Sequence, residues 1–280
     1  MEQHMSNHWF LTGASSGIGR HLAELILAAG DDLTATARRP ESLDDLAAKY
    51  PSQLRVEALD VTVKDDIAAV VARAQARRPV DILVNNAGGG VIGATEEMSD
   101  AEVEGQIALN LMAPIHITRA FVPAMRLRGS GRIIQISSAS GQGSLPTSSL
   151  YHAAKWGLEG FSECLRQELE PFNLFVTLIE PGGARTSFSH NLQFASEIAA
   201  YRDTPAGDIR KMFETAGNEL YTLDPQKIAQ AIVDVATSDH PPLRVTLGGD
   251  AFGVVQAALQ SRLAFLQSQE ALARSVAFDS

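Results

Sequence analysis

A chain of 280 residues, 45% hydrophobic and 20% charged, has the composition of a globular domain. At that length it can bury roughly three quarters of its unfolded surface without disulfide or metal staples. Asp and Glu outnumber Lys and Arg by 33 to 23, a net charge of −10, and a field of that sign argues against nucleic acid or an anionic membrane surface as partner.

The single cysteine, Cys164, leaves no internal disulfide and fits a reducing, cytoplasmic setting. Its helical surroundings without a basic cluster read as those of a partly buried, inert thiol. No apolar run approaches the ~20 residues of a membrane span. Residues 1–8 lack the basic-then-apolar pattern of a secretory signal, and 1–7 read as a disordered end.

In chain order, Trp9-Phe10-Leu11-Thr12 is a short apolar strand that runs into a glycine loop, and Ile18 to Ala29 then has helical spacing up to Gly30. Leu33 to Ala37 is a second strand, Glu41 to Lys49 a short helix, and Leu54 to Leu59 a third strand. Lys64 to Arg77 is helical, and Ile82-Leu83-Val84 is a strand that runs into Asn85-Asn86-Ala87-Gly88. Asp100 to Arg126 carries a long helix with Pro114 and Pro123 as kink or end points. Arg132 to Ser137 is a strand, Tyr151 to Leu169 a helix, Leu174 to Ile179 a strand, Pro225 to Ala236 a helix and Leu243 to Leu247 the last strand.

Apolar strands joined by helices require crossover connections, hence a mostly parallel sheet covered on both faces. With right-handed crossovers this is an α/β, doubly wound, Rossmann-like fold in a single domain. Two segments stand outside the alternation. Residues 187–223 carry Phe188, Leu192, Phe194, Ile198, Tyr201, Met212, Phe213 and Tyr221 without a strand pattern, a length that suggests a substrate lid. Phe252 to Leu272, within 251–275, reads as one more amphipathic helix that packs on the domain or on a second subunit.

Thr12-Gly13-Ala14-Ser15-Ser16-Gly17-Ile18-Gly19 lies between the first strand and the first helix. Gly13 permits the tight turn, Gly17 lets the backbone approach a pyrophosphate, and Gly19 lets helix and sheet pack closely, while the helix N-terminus offers N–H donors. Ser15, Ser16 and Ile18 complete that candidate cofactor loop. A carboxylate at the end of the second strand would accept the 2′-OH of NAD; here Ala37 is followed by Arg38 and Arg39, whose guanidinium forks suit a 2′-phosphate and favour NADP(H) over NAD(H).

Tyr151-His152-Ala153-Ala154-Lys155 puts a phenol and an ammonium four apart on one helix face. An ammonium beside the phenol should lower its pKa and make Tyr151 a usable acid/base. Ser137-Ser138 ends the preceding strand at the sheet edge where such folds bind ligands. No metal is expected.

With these motifs in order, the chain resembles the short-chain dehydrogenase/reductase family along most of its length. The matches are Thr12-Gly13-x-x-x-Gly17-x-Gly19, Asp60-Val61, Asn85-Asn86-Ala87-Gly88, Asn110, Ser138, Tyr151-x-x-x-Lys155 and Pro181-Gly182-x-x-x-Thr186. The resemblance implies hydride transfer between a nicotinamide cofactor and a carbonyl/alcohol pair. On that analogy Tyr151 exchanges the proton of the reacting oxygen, Ser138 hydrogen-bonds the same oxygen, and Lys155 lowers the tyrosine pKa and binds the nicotinamide ribose. Asn110 would hold a water that links Lys155 to solvent. Asp60 and Val61 would contact adenine, Asn86, Ala87 and Gly88 would line the cofactor, and Asn85 would stabilise the sheet. Pro181, Gly182 and Thr186 would hold the carboxamide. The resemblance further implies a homodimer or homotetramer.

Two departures matter. Ser16 stands where NADPH-dependent members often carry a basic residue, which leaves cofactor preference to Arg38 and Arg39, and Ala113 replaces a common glycine. The apolar 187–223 segment suggests an apolar ketone or secondary alcohol as substrate; Gly141, Gln142, Gly143 and Ser144 are read as leaving room beside the reacting carbon. An NADPH-sensing regulator without turnover is the alternative, marked by loss of Tyr151 or Lys155, and both are present. An epimerase or dehydratase would keep the same pair but hold NAD tightly, which Arg38 opposes.

Overall fold

The computed structural model describes residues 6–215 and 217–278. The first half contains β1 (His8–Thr12), α1 (Gly17–Ala28), β2 (Asp32–Ala37), α2 (Asp44–Lys49), β3 (Leu54–Ala58), α3 (Lys64–Arg77), β4 (Ile82–Asn85), β5 (Val91–Ile92), α4 (Asp100–Ile107) and α5 (Ala113–Arg128). The second contains β6 (Gly131–Ile136), α6 (Ser149–Leu169), β7 (Leu174–Pro181), α7 (Ser187–His190), β8 (Gln193–Phe194), α8 (Pro205–Thr215), α9 (Pro225–Ala236), β9 (Arg244–Leu247), α10 (Gly249–Ser268) and α11 (Glu270–Arg274).

Seven strands form one parallel sheet in the order β3-β2-β1-β4-β6-β7-β9. The order reverses between β1 and β4, which opens a crevice at the carboxyl ends of those strands. Alternate side chains of each strand point to opposite faces. Trp9, Leu11 and Val84 join Leu22 and Ile26 of α1 and Ile228 and Ile232 of α9 in one core layer. Phe10 and Leu83 join Ile67 of α3, Phe121 of α5 and Leu165 of α6 in the other. Phe10 and Phe121 meet with ring centroids 4.8 Å apart. The result is the doubly wound, single-domain sheet expected from the alternation of strands and helices.

The long helix expected over 100–126 is three pieces: α4, a π-helical turn over Ala108–Met112, and α5. Pro114 falls in the first turn of α5 and Pro123 inside it. The helix runs past Pro123, whose exposed face lets water reach the carbonyl left without its partner, and stops at Gly129, φ 72°. This 29-residue stretch is long and apolar enough to span a membrane, contrary to the sequence reading; its apolar face, Ile117, Phe121 and Met125, is buried in the core.

Other differences concern the segments outside the alternation. Residues 187–223, read as free of strands, include β8, which pairs in parallel with β5; a two-residue strand is too short to leave a periodic signal. Ala216 in this segment, and 1–5 of the end expected to be disordered, lie outside the described residues. Cys164 is exposed, not partly buried, because it lies on the outer face of α6. The C-terminal segment is two helices broken at Gln269. Its apolar residues are not gathered on one buried face: Ala251 is its one buried residue, while Phe252, Leu263 and Phe265 are 60%, 56% and 69% exposed.

Candidate active site

The glycine loop owes its shape to positions where a side chain has no place. Gly13 and Gly17 have φ of 67° and 56°, a region costly to residues with a Cβ. A Cβ on Gly13 would lie 2.9 Å from Ala87 Cα, and one on Gly17 3.1 Å from Thr186 Cβ. Gly19 is buried against the Gly13 carbonyl and the Asn86 amide. Ser16 occupies the N-cap of α1 with no side-chain cap bond, so the first N–H groups of that helix face the crevice uncapped by their own side chain. Ser15 and Ser16 are exposed and Ile18 is half-buried.

A second strand end braces this loop. Thr12 Oγ1 accepts from the backbone N–H groups of Asn86 (2.9 Å) and Ala87 (3.0 Å). The Asn86 side-chain amide donates to the carbonyls of Thr12 (2.9 Å) and Gly13 (3.0 Å). The Asn86 side chain therefore positions the glycine loop rather than facing a ligand. Asn85 donates to Thr118 and Gln135, both 3.0 Å away, within the sheet. Asn110 lies in the π-helical turn, buried, with its amide donating to Gly89 O at 2.9 Å and its oxygen accepting from Gly89 N at 3.3 Å. Both ends of that amide bond Gly89, and its nitrogen also donates to Gln106 O at 3.2 Å, an anchoring role that the sequence reading did not foresee.

Arg38 and Arg39 are exposed at the carboxyl end of β2 and form no ion pair or side-chain hydrogen bond among the described residues. Asp60, across from Arg38, accepts from Thr62 N (2.9 Å) and Oγ1 (2.7 Å); these bonds, with the Arg38 charge, hold its carboxyl below the usual range. Val61 is buried and its side chain belongs to the core. Pro181 ends β7, Gly182 N donates to Leu247 O at 3.0 Å and Gly183 N to Asp250 Oδ2 at 2.8 Å, so the start of α10 clasps this loop. Thr186 caps α7 by accepting from Phe188 N at 3.2 Å.

Tyr151, Lys155 and Ser138 come together at the carboxyl end of β6. Ser138 lies close enough to the phenol to pull its pKa down, and its hydroxyl accepts from Ser140 N at 3.1 Å. The Lys155 ammonium donates to Ile136 O at 2.8 Å and lies 5.6 Å from the Tyr151 ring centroid. Here the pKa expectation is corrected. Burial pushes the phenol up to about 12, against the Ser138 bond that pulls it down; burial also brings Lys155 down to about 8, against the Glu159 carboxylate that pulls it up. Loss of water penalises both charged forms.

Phe188 stands over the phenol, ring centroids 6.0 Å apart, and Leu192 and Phe188 line Gly90. The space expected beside Gly141–Ser144 is filled instead. A Cβ on Gly143 would meet Val254 of α10 at 2.5 Å, and Gln142 bonds Glu159 and Arg262. The sequence reading passed over Glu159, Glu180 and Arg244 beneath this site; the second four-residue step, in Tyr151-x-x-x-Lys155-x-x-x-Glu159, was the available signal.

A parallel sheet with this switch point, glycine loop and Ser-Tyr-Lys cluster defines a nicotinamide-dependent oxidoreductase of the doubly wound class. The family model described as "short chain dehydrogenase" matches residues 7–196. A short-chain dehydrogenase structure from Streptomyces avermitilis is 40% identical, covers 98% of this chain and 100% of its own, and superposes with TM-score 0.89. Retinol dehydrogenase 8 of Homo sapiens is 34% identical over 84% of this chain and 79% of its own length. A metagenomic short-chain oxidoreductase in complex with NADP is 29% identical, covering 86% and 96%, with TM-score 0.69. A 19% identical Burkholderia phymatum member in complex with NAD, covering 96% and 97% at TM-score 0.79, shares the fold. The chain belongs to the short-chain dehydrogenase/reductase family and is an oxidoreductase of the NAD(P)-dependent type.

Proposed function

We propose that this chain is an NADP(H)-dependent oxidoreductase acting on an apolar ketone or secondary alcohol, with Tyr151 as its acid/base. The observation that carries this reading is the meeting of Tyr151, Ser138 and Lys155 at the strand ends, beside an α1 N-terminus free of a side-chain cap. The cradle fits a dinucleotide: Gly13, Gly17 and Gly19 clear the space a Cβ would fill, and the first N–H groups of α1, with Ser15, Ser16 and Ile18, suit a pyrophosphate. Arg38 and Arg39 would take a 2′-phosphate, Asp60 and Val61 the adenine end, Asn86, Ala87 and Gly88 the middle, and Pro181, Gly182 and Thr186 the carboxamide. When bound, the nicotinamide supplies or accepts the hydride.

The chain's own residues handle the proton. Ser138 fixes the substrate oxygen and polarises it; Tyr151 gives its phenolic proton to that oxygen in reduction and takes it back in oxidation. Lys155 offers ammonium donors to the ribose and favours the phenolate. Asn110 acts by anchoring the Gly88-Gly89 turn. Phe188 beside Tyr151 and Leu192 against Gly90 favour an apolar substrate, with 187–223 as its lid, and the likeness to a retinol dehydrogenase points the same way. We assign the chain to the cytoplasm and to a homodimer or homotetramer; the exposed apolar residues of α10, Phe252, Leu263 and Phe265 among them, support assembly, and light scattering on a size-exclusion column tests it.

The direct test is NADPH oxidation against a panel of apolar and aromatic ketones, with NADH and Tyr151→Phe as controls. Turnover that favours NADPH and disappears in Tyr151→Phe is expected. Equal use of NADH rejects the cofactor preference, and NADPH binding without turnover on any ketone favours a cofactor sensor.

A further inference from the structure

Beneath the Tyr151–Lys155 pair, one helical turn further along the same face of α6, lies Glu159, 4% exposed. It is held from three elements: Ser137 Oγ donates to it at 2.5 Å, Arg244 Nε of β9 at 2.9 Å, and Gln142 Nε2 at 3.3 Å. A second carboxylate, Glu180 of β7, is 1% exposed, accepts from Thr246 Oγ1 at 2.7 Å and stands 3.5 Å from Arg244. Arg244 also reaches the exposed Glu163 at 3.1 Å. From α10, Arg262 arrives only through Gln142, 3.2 Å away.

Counting charge shows what is missing. Two carboxylates sit almost out of reach of water, and one cation, Arg244, touches both. Glu163 needs no partner because water solvates it. A buried carboxylate without a countercharge costs several kcal/mol or takes up a proton. The remaining buried cation on this face is Lys155, four residues before Glu159 and itself 5% exposed; its ammonium bonds Ile136 O, beside Ser137, which bonds Glu159, so the two charges attract through space rather than by direct contact.

We propose that Glu159 is a positioning residue for Lys155: Glu159, Glu180, Arg244 and Lys155 form one buried charge set that is neutral only when Lys155 is an ammonium. The set keeps that ammonium charged and directed at the Tyr151 end of α6. Lys155 falls to about 8 through burial, and the Glu159 carboxylate is what pulls it upward. Burial and the neighbouring Glu180 push the Glu159 carboxyl up, whereas Ser137 and Arg244 pull it down. The catalytic meaning rests on the proposed role of Lys155; the charge coupling does not.

The test is the titration of Lys155 itself, by NMR of protein labelled at lysine side-chain Cε and Nζ. The chain has Lys49, Lys64, Lys155, Lys211 and Lys227, and the Lys155 signal is the one lost in Lys155→Arg. Glu159→Gln should lower its midpoint by about one pH unit or more. Arg244→Gln removes a cation from the same set and should raise it; Glu163→Gln, on an exposed carboxylate, should leave it in place. Opposite signs at Glu159 and Arg244 separate electrostatics from packing damage, which would move both the same way. A midpoint unmoved in Glu159→Gln, or shifts of one sign in both variants, overturns the proposal. If Glu159→Gln does not fold, Arg244→Gln decides alone, a raised midpoint supporting the coupling and an unchanged or lowered one rejecting it. A wild type without turnover whose Lys155 still responds in this way would refute the enzymatic role and leave the charge set standing.

Discussion

A buried carboxylate joins the pairing of β5 and β8 in tying down the 187–223 segment, and removing its charge should loosen it measurably. Glu97 has a side chain 2% exposed. Its Oε2 accepts from Ala94 N at 2.7 Å and its Oε1 from Ile198 N at 2.8 Å, which joins the short turn after β5 to the residues after β8. Arg210 of α8 stands 3.6 Å away and keeps a second partner, Glu214, at 2.8 Å. Glu97→Gln preserves the shape but turns an NH2 group toward one of the two backbone donors. A hydrogen bond to a charged acceptor is worth about 1.5–3 kcal/mol, and a buried donor left facing another donor adds a similar penalty. We therefore expect about 3 kcal/mol less stability for the docked segment, roughly a hundredfold in its opening equilibrium.

Hydrogen exchange should read this at amides the substitution does not touch. Gln193 N donates to Gly90 O at 3.0 Å and Ala195 N to Ile92 O at 2.9 Å, and both bonds break when the segment lifts. Their exchange should quicken by roughly a hundredfold, while amides of the central sheet change far less because the opening is local. Gln193 and Ala195 rates within about threefold of wild type would refute the view that Glu97 holds the segment. A uniform acceleration across the sheet would show that the damage is global rather than confined to the 187–223 segment.

Three further outcomes are expected. Lys155→Ala should weaken NADPH binding and abolish turnover together, whereas Tyr151→Phe should spare binding; fluorescence titration checks this, and equal loss in both overturns the division of roles. Arg38→Asp should lower the NADPH-to-NADH ratio of kcat/KM by roughly a hundredfold, since a charge-assisted bond is exchanged for repulsion, and an unchanged ratio removes Arg38 from the phosphate site. His8 is buried in β1, its Nδ1 donating to Arg78 O at 2.9 Å and its Nε2 facing Thr34 Oγ1 at 2.9 Å, and burial lowers its pKa. The unfolded chain therefore takes up the His8 proton first as pH falls below about 6.5, so the His8 contribution is complete above that value and is lost on acidification. The loss proceeds at up to about 1.4 kcal/mol per pH unit; urea midpoints of His8→Gln should show a shallower acid limb, and an unchanged limb would refute the assignment.

The site was legible in the sequence where chemistry and local geometry coincide. Glycine at 13, 17 and 19 follows from backbone conformation and close approach, and the four-residue step from Tyr151 to Lys155 follows from helix periodicity. The alternation of β-rich runs with helical spacing determined the doubly wound sheet, because parallel strands need helical crossovers and both faces must be covered. Those signals are short in range, so a single chain carries them.

What only the tertiary structure decided are the contacts between segments distant along the chain. Asn86 and Asn110 turned inward to brace loops, Val254 filled the space beside Gly143, and β8 found β5 a hundred residues away. The direction of the Tyr151 pKa also belongs here. Spacing alone brings an ammonium near the phenol, but burial of the phenol is what pushes its pKa up. Solvent exclusion is a property of packing in three dimensions, and no local pattern of residues encodes how much water a fold will remove.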